Sequence, residues 1–337
     1  MIWRKPAIGA EGDGSAKRVL VIRLGGIAAF VQALAAAQRI RAEHVGARIT
    51  LLTTEATKEL AEKAPYFDTV EADGRPTEPQ AITALIKRLR GAKYDMVYDL
   101  EGSNRTNNYF QGLRPWPPKW SGPIAGASHP HLDPERLHMH PLDRYAAQLA
   151  TAGLSGEPLM PDLGWLRPVL RDAPRLQPEY FGIRGAYVLL LPRGADTESN
   201  RRWPEAKYVE LAKRIAGFGV TPVVLGGPEE RPVGAAIAKA EPRAKNLVTR
   251  PDLFQCIGLA ERAAFAVGDD VELMHVAVAA GAPGLVLLSS LAKGPPSAPR
   301  GRSGVVEFTA AVVGDIPVEQ VDRQLRNCGV YAHAATA

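Results

Sequence analysis

An apolar stretch of this 337-residue chain runs into two adjacent carboxylates, Asp269 and Asp270. Residues 264–267 are typical of a β-strand, and residues 272–277 are typical of the start of a helix. The N-terminus of a helix attracts phosphate, because its unpaired backbone N–H groups and the helix dipole both favour an anion. Glu272 lies at that N-terminus and would repel the same anion. The segment therefore predicts a phosphate site that one of its own side chains opposes.

A pair of arginines, Arg201 and Arg202, precedes Trp203 and Pro204. The pair follows a predicted strand at residues 187–191 and precedes a predicted helix in which Pro204 suits the first position. Two guanidinium groups beside a helix N-terminus can clamp a diphosphate, because charge-assisted hydrogen bonds add to the helix dipole. The alternative is an exposed basic turn.

Two glycine pairs follow predicted strands. Gly25 and Gly26 lie between a strand and a helix, where a backbone without side chains allows a phosphate or sugar to approach closely. Gly226 and Gly227 end the strand at residues 221–225. The first pair departs from the G-x-G-x-x-G pattern, and no acidic ribose ligand follows it at the usual distance, so a tight structural turn is the alternative.

The segment after the strand at residues 94–100 brings together groups with different chemistry. Glu101, Ser103, Asn104 and Arg105 follow the strand residue Asp99, and this segment would place a carboxylate, an amide and a guanidinium at the end of the sheet. The alternative is a solvated loop with a helix cap.

Four histidines fall in a proline-rich stretch, residues 114–141, that predicts an extended loop: His129, His131, His138 and His140. Their spacing lacks a helical or CxxC partner, so we predict no metal site. Polar contacts to a substrate, or ordinary loop chemistry, remain open for these side chains.

The elements that must position these groups alternate between strand and helix in two similar halves. This alternation predicts parallel βαβ units and an α/β fold, and such sheets bind ligands beyond the carboxyl ends of their strands. Residues 158–185 lack periodicity and are the predicted linker between the halves. The predicted strands are residues 18–22, 48–53, 94–100, 187–191, 221–225, 264–267 and 284–288, and the predicted helices are residues 30–43, 58–63, 143–152, 205–218 and 318–326.

The composition excludes several classes of protein. The formal net charge is +5 without a Lys/Arg run of the nucleic-acid-binding type, so we predict no nucleic-acid partner. No stretch is apolar for long enough to span a membrane, and residues 1–15 lack the apolar core of a signal peptide. We expect a cytoplasmic location with two reduced cysteines. Peripheral contact of the basic surface with the inner membrane is a further option, although no polybasic helix supports it.

In order and spacing, the motifs resemble glycosyltransferase family 9, the ADP-heptose:lipopolysaccharide heptosyltransferases, over about residues 17–325. The resemblance is carried by residues 21–26 with 30–33, 47–52, 65–68, 94–103, 139–140 with 143–144, 202–204, 224–228 with Glu230, and 274–275. It implies a GT-B fold, in which two doubly wound Rossmann-like domains face each other across a cleft. The implied domains are residues 1–170 on the acceptor side and 171–337 on the donor side, with the option that the last helix packs back on the first domain.

The resemblance also implies the ligands and the residues that hold them. The donor is an ADP-sugar, the acceptor is a lipid A core or another glycan, the sugar carbon is inverted, and no metal or cofactor is required. The implied donor-binding residues are Arg201, Arg202, Gly226, Gly227, Glu230, Asp270, Met274 and His275. The implied acceptor-side residues are Gly25, Gly26, Ser103, Arg105 and His140.

The chain departs from the family pattern at two functional positions. Ala28 and Ala29 replace Gly-Asp, and that aspartate is the expected general base. A methyl group cannot accept a proton, which leaves Asp99 and Glu101 as the candidate replacements. Val271 and Glu272 replace Ser/Thr-Gly and place a carboxylate near the expected diphosphate.

Three hypotheses follow. The first is an inverting glycosyltransferase that transfers heptose or a related sugar to a lipopolysaccharide core or related surface glycan. The second is a catalytically degenerate relative that binds a glycan, a nucleotide or a partner without turnover. The third is another nucleotide-dependent enzyme, such as a nucleotide-sugar epimerase of the GT-B type.

Overall fold

The computed structural model describes residues 16–194, 199–269, 271–292 and 294–332. Contacts divide the chain into two compact units, Met1–Pro161 and Asp162–Ala337. The structure therefore places the boundary between Pro161 and Asp162, whereas the sequence prediction placed it after residue 170.

The first unit is a six-stranded parallel sheet with helices, in the strand order β3-β2-β1-β4-β5-β6. Its elements are β1 (Arg18–Ile22), α1 (Ile27–Glu43), β2 (Arg48–Leu52), α2 (Glu55–Lys63), β3 (Thr69–Glu71), α3 (Pro79–Gly91), β4 (Met96–Asp99), α4 (Asn104–Gly112), β5 (Lys119–Gly122), β6 (His129–Pro130) and α5 (Pro141–Thr151). The order reverses direction between β1 and β4, which is the point where doubly wound sheets bind ligands.

The stretch at residues 114–141 is not the extended loop that the sequence predicted. It contains β5, β6 and a 3-10 turn at Pro134–Leu137. Trp120 is the only large apolar residue of β5, which is why the periodicity was too weak to reveal a strand. Its ring is fully buried and packs edge-on against Phe110, with 5.3 Å between the ring centroids.

The second unit repeats the topology of the first, in the strand order β12-β11-β10-β7-β8-β9. Its elements are α6 (Arg167–Asp172), β7 (Tyr187–Leu191), α7 (Glu205–Gly217), β8 (Thr221–Val224), α8 (Arg231–Ala240), β9 (Lys245–Asn246), α9 (Leu253–Glu261), β10 (Phe265–Asp269), α10 (Glu272–Ala280), β11 (Gly284–Ser289), β12 (Val305–Ala310) and α11 (Val318–Asn327). The direction of the order reverses between β7 and β10, so the ligand-binding end of this sheet lies beyond those two strands.

The predicted linker at residues 158–185 is folded against the second unit. The Leu163 N–H donates to the carbonyl oxygen of Ala279 in α10 at 2.9 Å. A Cβ atom on Gly258 in α9 would lie 2.0 Å from the carbonyl oxygen of Leu176, so only glycine permits this approach. These contacts explain why the boundary falls near the start of this segment.

The closing helix, α11, packs in the core of the second unit. Val321 and Leu325 are fully buried there and belong to the same apolar cluster as Leu211 and Ile215 of α7. The Trp203 indole N–H also donates to the carbonyl oxygen of Ile316, at 2.9 Å, just before α11.

Candidate functional site

The β1–α1 turn of the first unit brings the predicted glycines next to the position of the missing base. Gly26 is the N-cap of α1 and provides no side-chain cap. A Cβ atom on Gly25 would lie 3.0 Å both from the Ala29 methyl carbon and from Nη2 of Arg23. Close packing therefore favours glycine at position 25, and Ala29 lies beside this turn without any group that could accept a proton.

A partly buried ion pair joins the ends of β1 and β4. Nη1 of Arg23 donates to Oε2 of Glu101 at 2.9 Å and to the carbonyl oxygen of Leu100 at 3.0 Å. The Leu24 backbone N–H donates to the same Glu101 oxygen at 3.1 Å. The Glu101 side chain keeps 17% of its surface exposed, so it still reaches solvent at this end of the sheet. Arg23 is a residue that the sequence interpretation did not single out.

Asp99, the other candidate base, is completely buried. Its Oδ1 accepts hydrogen bonds from the backbone N–H groups of Gly102, at 2.8 Å, and Glu101, at 3.2 Å. Burial raises the pKa of Asp99 to about 6, and those N–H donors and the Thr106 hydroxyl offset part of this rise. In this conformation Asp99 shapes the turn after β4 and cannot contact an acceptor hydroxyl.

Ser103 and Arg105 have structural partners. Ser103 is the N-cap of α4, where it forms a reciprocal capping box with Thr106. This is the helix cap that the sequence left open as the alternative for the segment. Nη1 of Arg105 donates to the carbonyl oxygen of Pro76 at 2.6 Å, which ties α4 to the neighbouring loop.

The four histidines are dispersed among different environments. Nδ1 of His140 accepts from the Leu142 N–H at the start of α5, and His140 is 3% exposed. His131 is also buried, Nδ1 of His129 contacts the Ser128 hydroxyl at 2.8 Å, and His138 is exposed. Within the described ranges, no three His, Cys, Asp or Glu side chains are grouped as metal ligands would be.

In the second unit the buried carboxylate is Asp269, the last residue of β10. Its Oδ2 accepts from the Arg193 N–H at 2.9 Å, and its Oδ1 accepts from the Trp203 N–H at 3.1 Å. The Asp269 side chain thus anchors the backbone on both sides of the Arg201–Arg202 pair in the sequence. Burial raises the pKa of Asp269 to about 7, and the two backbone donors offset part of that rise.

The sequence interpretation chose Asp270 as the donor ligand, and Asp270 lies outside the described residues. Sequence alone did not reveal that the adjacent carboxylate, Asp269, is buried. The available signal was the continuous apolar run at residues 265–267, because a strand that is apolar on both faces is buried on both, and Asp269 ends this strand. Arg201 ends a 3-10 turn at Ser199–Arg201, and both Arg201 and Arg202 are half-buried.

A pocket of about 240 Å³ opens at the carboxyl ends of the second sheet. Its lining residues are Leu191, Pro192, Leu225, Gly226, Gly227, Glu230, Val271, Glu272 and Leu273. Oε2 of Glu230 accepts from the Gly227 N–H at 2.6 Å. A Cβ atom on Gly226 would lie 2.6 Å from the Glu230 Cβ atom, so glycine is needed for this turn. The structure thus brings together the predicted Gly226, Gly227 and Glu230.

The N-terminus of α10 contributes the far wall of this pocket. Its N-cap, Val271, supplies no side-chain hydrogen bond to the first turn. Glu272 is exposed and lines the pocket, so water screens its charge. Met274 is fully buried, and a Cβ atom on Gly284 would lie 2.6 Å from its Cε atom. The Met274 side chain therefore packs against β11 instead of lining the pocket, and His275 is 7% exposed.

Two further observations concern the whole of the described chain. None of its helices is both long and apolar enough to cross a membrane. Cys256 and Cys328 are free thiols, the first buried and the second exposed.

Comparisons with known proteins agree with this arrangement. A family model described as "Glycosyltransferase family 9 (heptosyltransferase)" matches residues 122–291, about half of the chain. A lipooligosaccharide heptosyltransferase 2 of Haemophilus influenzae is 27% identical over 143 residues, which span 39% of this chain and 41% of that protein.

Solved structures share the fold at low identity. A family 9 glycosyl transferase of Veillonella parvula has a TM-score of 0.77 and 16% identity, with 93% of this chain and 97% of that one covered. The E. coli ADP-heptose lipopolysaccharide heptosyltransferase II has a TM-score of 0.71 and 20% identity, with 92% and 98% covered. An E. coli heptosyltransferase solved with ADP has a TM-score of 0.72 and 18% identity, with 92% and 99% covered.

These likenesses assign the two Rossmann-like units to the GT-B fold class. The family match includes the strand ends and turns that line the pocket of the second unit, and it leaves the β1–α1 turn outside. Because that match covers half of the sequence and the motif order agrees with it, the chain belongs to glycosyltransferase family 9.

Proposed function

We propose that this protein transfers heptose, or a related sugar, from an ADP-sugar to a lipopolysaccharide core or a related surface glycan, with inversion of the sugar carbon. The observation that carries the proposal is the pocket of the second unit. It combines a glycine turn, a carboxylate and a helix N-terminus at the reversal point of a doubly wound sheet.

In this proposal the second unit binds the nucleotide part of the donor. Glu230, which is held by the Gly227 N–H, accepts hydrogen bonds from the ribose hydroxyls. Arg201 and Arg202 bind the diphosphate, and Asp269 positions their segment through the Arg193 and Trp203 N–H groups. The uncapped N-terminus of α10 supplies further backbone donors.

The first unit supplies the general base. Ala29 cannot take a proton and Asp99 is completely buried, so we assign the role to Glu101, which keeps contact with solvent. Glu101 removes the proton from the acceptor hydroxyl as the oxygen forms a bond to the sugar carbon on the face opposite the diphosphate. The bond between that carbon and the diphosphate oxygen breaks, and ADP leaves with the electron pair.

Two features favour a second candidate, a degenerate relative that binds its ligands without turnover. Ala29 occupies the base position, and the Glu272 carboxylate lines the pocket at the N-terminus of α10. A fixed carboxylate there competes with a phosphate for the same helix dipole.

The test measures ADP release from ADP-heptose, with and without a glycan acceptor, in parallel with ADP affinity. We expect acceptor-dependent release in the parent protein. Glu101→Gln should lower the rate by about 10²- to 10⁴-fold, which is typical for loss of a general base. The ADP dissociation constant should stay unchanged, because in this proposal Glu101 acts on the acceptor hydroxyl and not on the nucleotide.

Glu55→Gln is the matched control, since Glu55 is an exposed carboxylate of the first unit in α2. An unchanged rate in Glu101→Gln would contradict the assignment of Glu101 as the general base. Binding of ADP-heptose without release in the parent would favour the degenerate relative, and a preference for a UDP-sugar would favour the epimerase-like hypothesis. A parent that binds no nucleotide sugar would overturn the proposal.

A further inference from the structure

A second cavity of the second unit lies away from the pocket of the proposed donor site. Its volume is about 350 Å³, compared with about 240 Å³ for that pocket, and the two share no lining residue. Its walls come from α6, from the 3-10 turn at Pro174–Leu176 and from the last turns of α9. Because α9 ends just before β10 begins, the cavity lies toward the amino end of the second sheet. We refer to it as the amino-end cavity.

The inner surface of the amino-end cavity is apolar. Leu170 of α6 is 5% exposed and Leu176 is 3% exposed, and both line the cavity beside the backbone of Gly258. Because position 258 must be glycine to approach the Leu176 carbonyl group, α9 presents no side chain there. An apolar lining with a few polar groups is typical of a site for a small molecule.

Hydrogen bonds hold the walls of the cavity in place. Nε2 of Gln177 donates to the carbonyl oxygen of Arg171 at 2.7 Å, which ties the segment after α6 back to that helix. Nε2 of Gln255 in α9 donates to the carbonyl oxygen of Arg175 at 3.1 Å. The cavity is therefore formed before a ligand binds, so little ordering entropy opposes binding.

Three guanidinium groups and one carboxylate also line the cavity. Nε of Arg167 donates to Oε1 of Glu261 at 3.1 Å. Arg262 forms two hydrogen bonds with Glu179, at 2.8 and 2.9 Å. A guanidinium carries five N–H groups, so both arginines retain further donors. Among the described residues, the Arg171 side chain has no ion pair and no hydrogen-bond acceptor.

The other carboxylates of this region do not neutralise Arg171. Asp252 caps the N-terminus of α9, and its Oδ2 lies 3.7 Å from Nη1 of Arg175. Asp172 is the next residue of α6 after Arg171, and consecutive residues of a helix do not face each other. The charge of Arg171 is therefore available to a ligand.

We propose that the amino-end cavity binds a small organic anion whose acidic group is a phosphate or a carboxylate. Arg171 forms the ion pair, further N–H groups of Arg167 and Arg262 add donors, and Leu170 and Leu176 contact the apolar body. A guanidinium suits either acidic group, because its planar fork can donate two parallel hydrogen bonds to both. The site is independent of glycosyl transfer, because its residues belong neither to the donor pocket nor to the first unit.

Calorimetric titration of the full-length protein with phenyl phosphate tests the site, because this probe joins a phosphate to an apolar ring. We expect saturable binding at low salt. Arg171→Gln should weaken the affinity about tenfold or more, since it removes a charge-assisted contact. Arg171→Lys keeps the charge but loses the planar fork, so it should give an intermediate affinity. Benzoate in place of phenyl phosphate distinguishes the two acidic groups, because the tighter probe carries the group that fits.

Arg323→Gln is the matched control. Arg323 is exposed on α11, which packs against α7, so its loss changes the net charge equally without altering the amino-end cavity. Arg201→Gln tests whether the probe enters the donor pocket instead, and it should keep the affinity of the parent. Inorganic phosphate, which has no apolar body, should bind more weakly than phenyl phosphate.

Four results would overturn the site: no saturable binding of either probe, parental affinity in Arg171→Gln, equal weakening in Arg323→Gln, or loss of binding in Arg201→Gln. Equal affinities for inorganic phosphate and phenyl phosphate would contradict the apolar contact. The proposed function fails separately. A parent that binds phenyl phosphate through Arg171 but binds no ADP would keep this site and remove the glycosyl transfer.

Discussion

The two units share one strand order, and each ends its fourth strand in a completely buried aspartate, Asp99 in β4 and Asp269 in β10. Each also carries an arginine just after its first strand. In the first unit Arg23 pairs with Glu101. In the second unit Nε of Arg193 is buried without a hydrogen-bond partner among the described residues.

The helices that follow these aspartates also differ in whether a side chain caps their N-terminus. Ser103 and Thr106 cap α4 with their side chains, whereas the N-cap of α10, Val271, has none to offer. Asp99 bonds to its own turn, and Asp269 bonds to a segment that follows another strand. At the central reversal point of the first unit the arginine is paired and the helix is capped, whereas in the second unit Nε of Arg193 is unpaired among the described residues and α10 has no side-chain cap.

The largest expected effect comes from removing the Asp269 carboxylate, which accepts hydrogen bonds from two different places in the backbone. Asp269→Ala leaves the Arg193 and Trp203 N–H groups without an acceptor, and at about 1–3 kcal/mol for each buried donor the free energy of unfolding should fall by about 2–6 kcal/mol. Urea unfolding measures this loss. ADP affinity, measured in the milder Asp269→Asn variant, should also fall because the arginine segment loses an anchor.

Asp99→Asn is the matched control for donor binding. Its carboxylate is equally buried but belongs to the other unit, so ADP affinity should match the parent. Equal loss of ADP affinity in both variants would contradict the proposal that only the aspartate of the second unit supports donor binding.

The second prediction concerns pH. Burial raises the pKa of Asp269 from 3.8 to about 7, so between these values the folded protein holds a proton that the unfolded chain releases. The stabilisation from this proton is complete below about pH 4 and is lost as the pH rises through about 7. The stability advantage of the parent over Asp269→Asn should shrink by about 1 kcal/mol per pH unit in that window.

Urea unfolding of both proteins across this range provides the measurement. Using the difference between them cancels the contributions of other carboxyls, such as Asp73 and Glu241, whose pKa values are lowered by arginine partners. A constant difference across the window would contradict the assignment of a raised pKa to Asp269.

The third prediction compares an arginine from each unit. Arg201→Gln should weaken ADP binding about tenfold or more, since it removes a charge-assisted contact to the diphosphate. Arg23→Gln should leave ADP affinity unchanged, because Arg23 is engaged by Glu101 in the other unit. Calorimetric titration with ADP compares the two variants, and equal affinities in both would remove the clamp assignment.

The smallest expected effect belongs to Glu272. Its carboxylate is exposed, so solvent screens its repulsion of a phosphate. Glu272→Gln should strengthen ADP binding only a few-fold, and the gain should shrink as salt is added. An affinity that does not change at low salt would show that Glu272 does not face the diphosphate.

Sequence predicted the central part of each sheet because the signals there were strong and local. The apolar runs of β1, β7 and β8 are followed within three residues by glycine or proline, and their predicted bounds agree with the structure within one residue. Strands β5, β6 and β9, which lie at or next to an edge of their sheets, were missed because they are short and carry few apolar residues. Such strands form because a neighbouring strand offers a hydrogen-bonding partner, which is a tertiary effect.

The residues of the candidate site also divide into those that the sequence predicted and those that it did not. Gly226, Gly227 and Glu230 were predictable because they share one turn, and the structure places them together. Asp269 was not predictable, because its importance depends on burial and on partners far away in the sequence. Met274 matches the family motif, yet its side chain serves the core.

The most direct test of the account is calorimetric titration of the parent protein with ADP. If the second unit holds an open nucleotide site, ADP should bind with micromolar affinity at one site per chain, and Arg201→Gln should weaken it. Absence of binding at millimolar ADP would contradict the account, because the unpaired donors at the reversal point of the second sheet would then not form a nucleotide site.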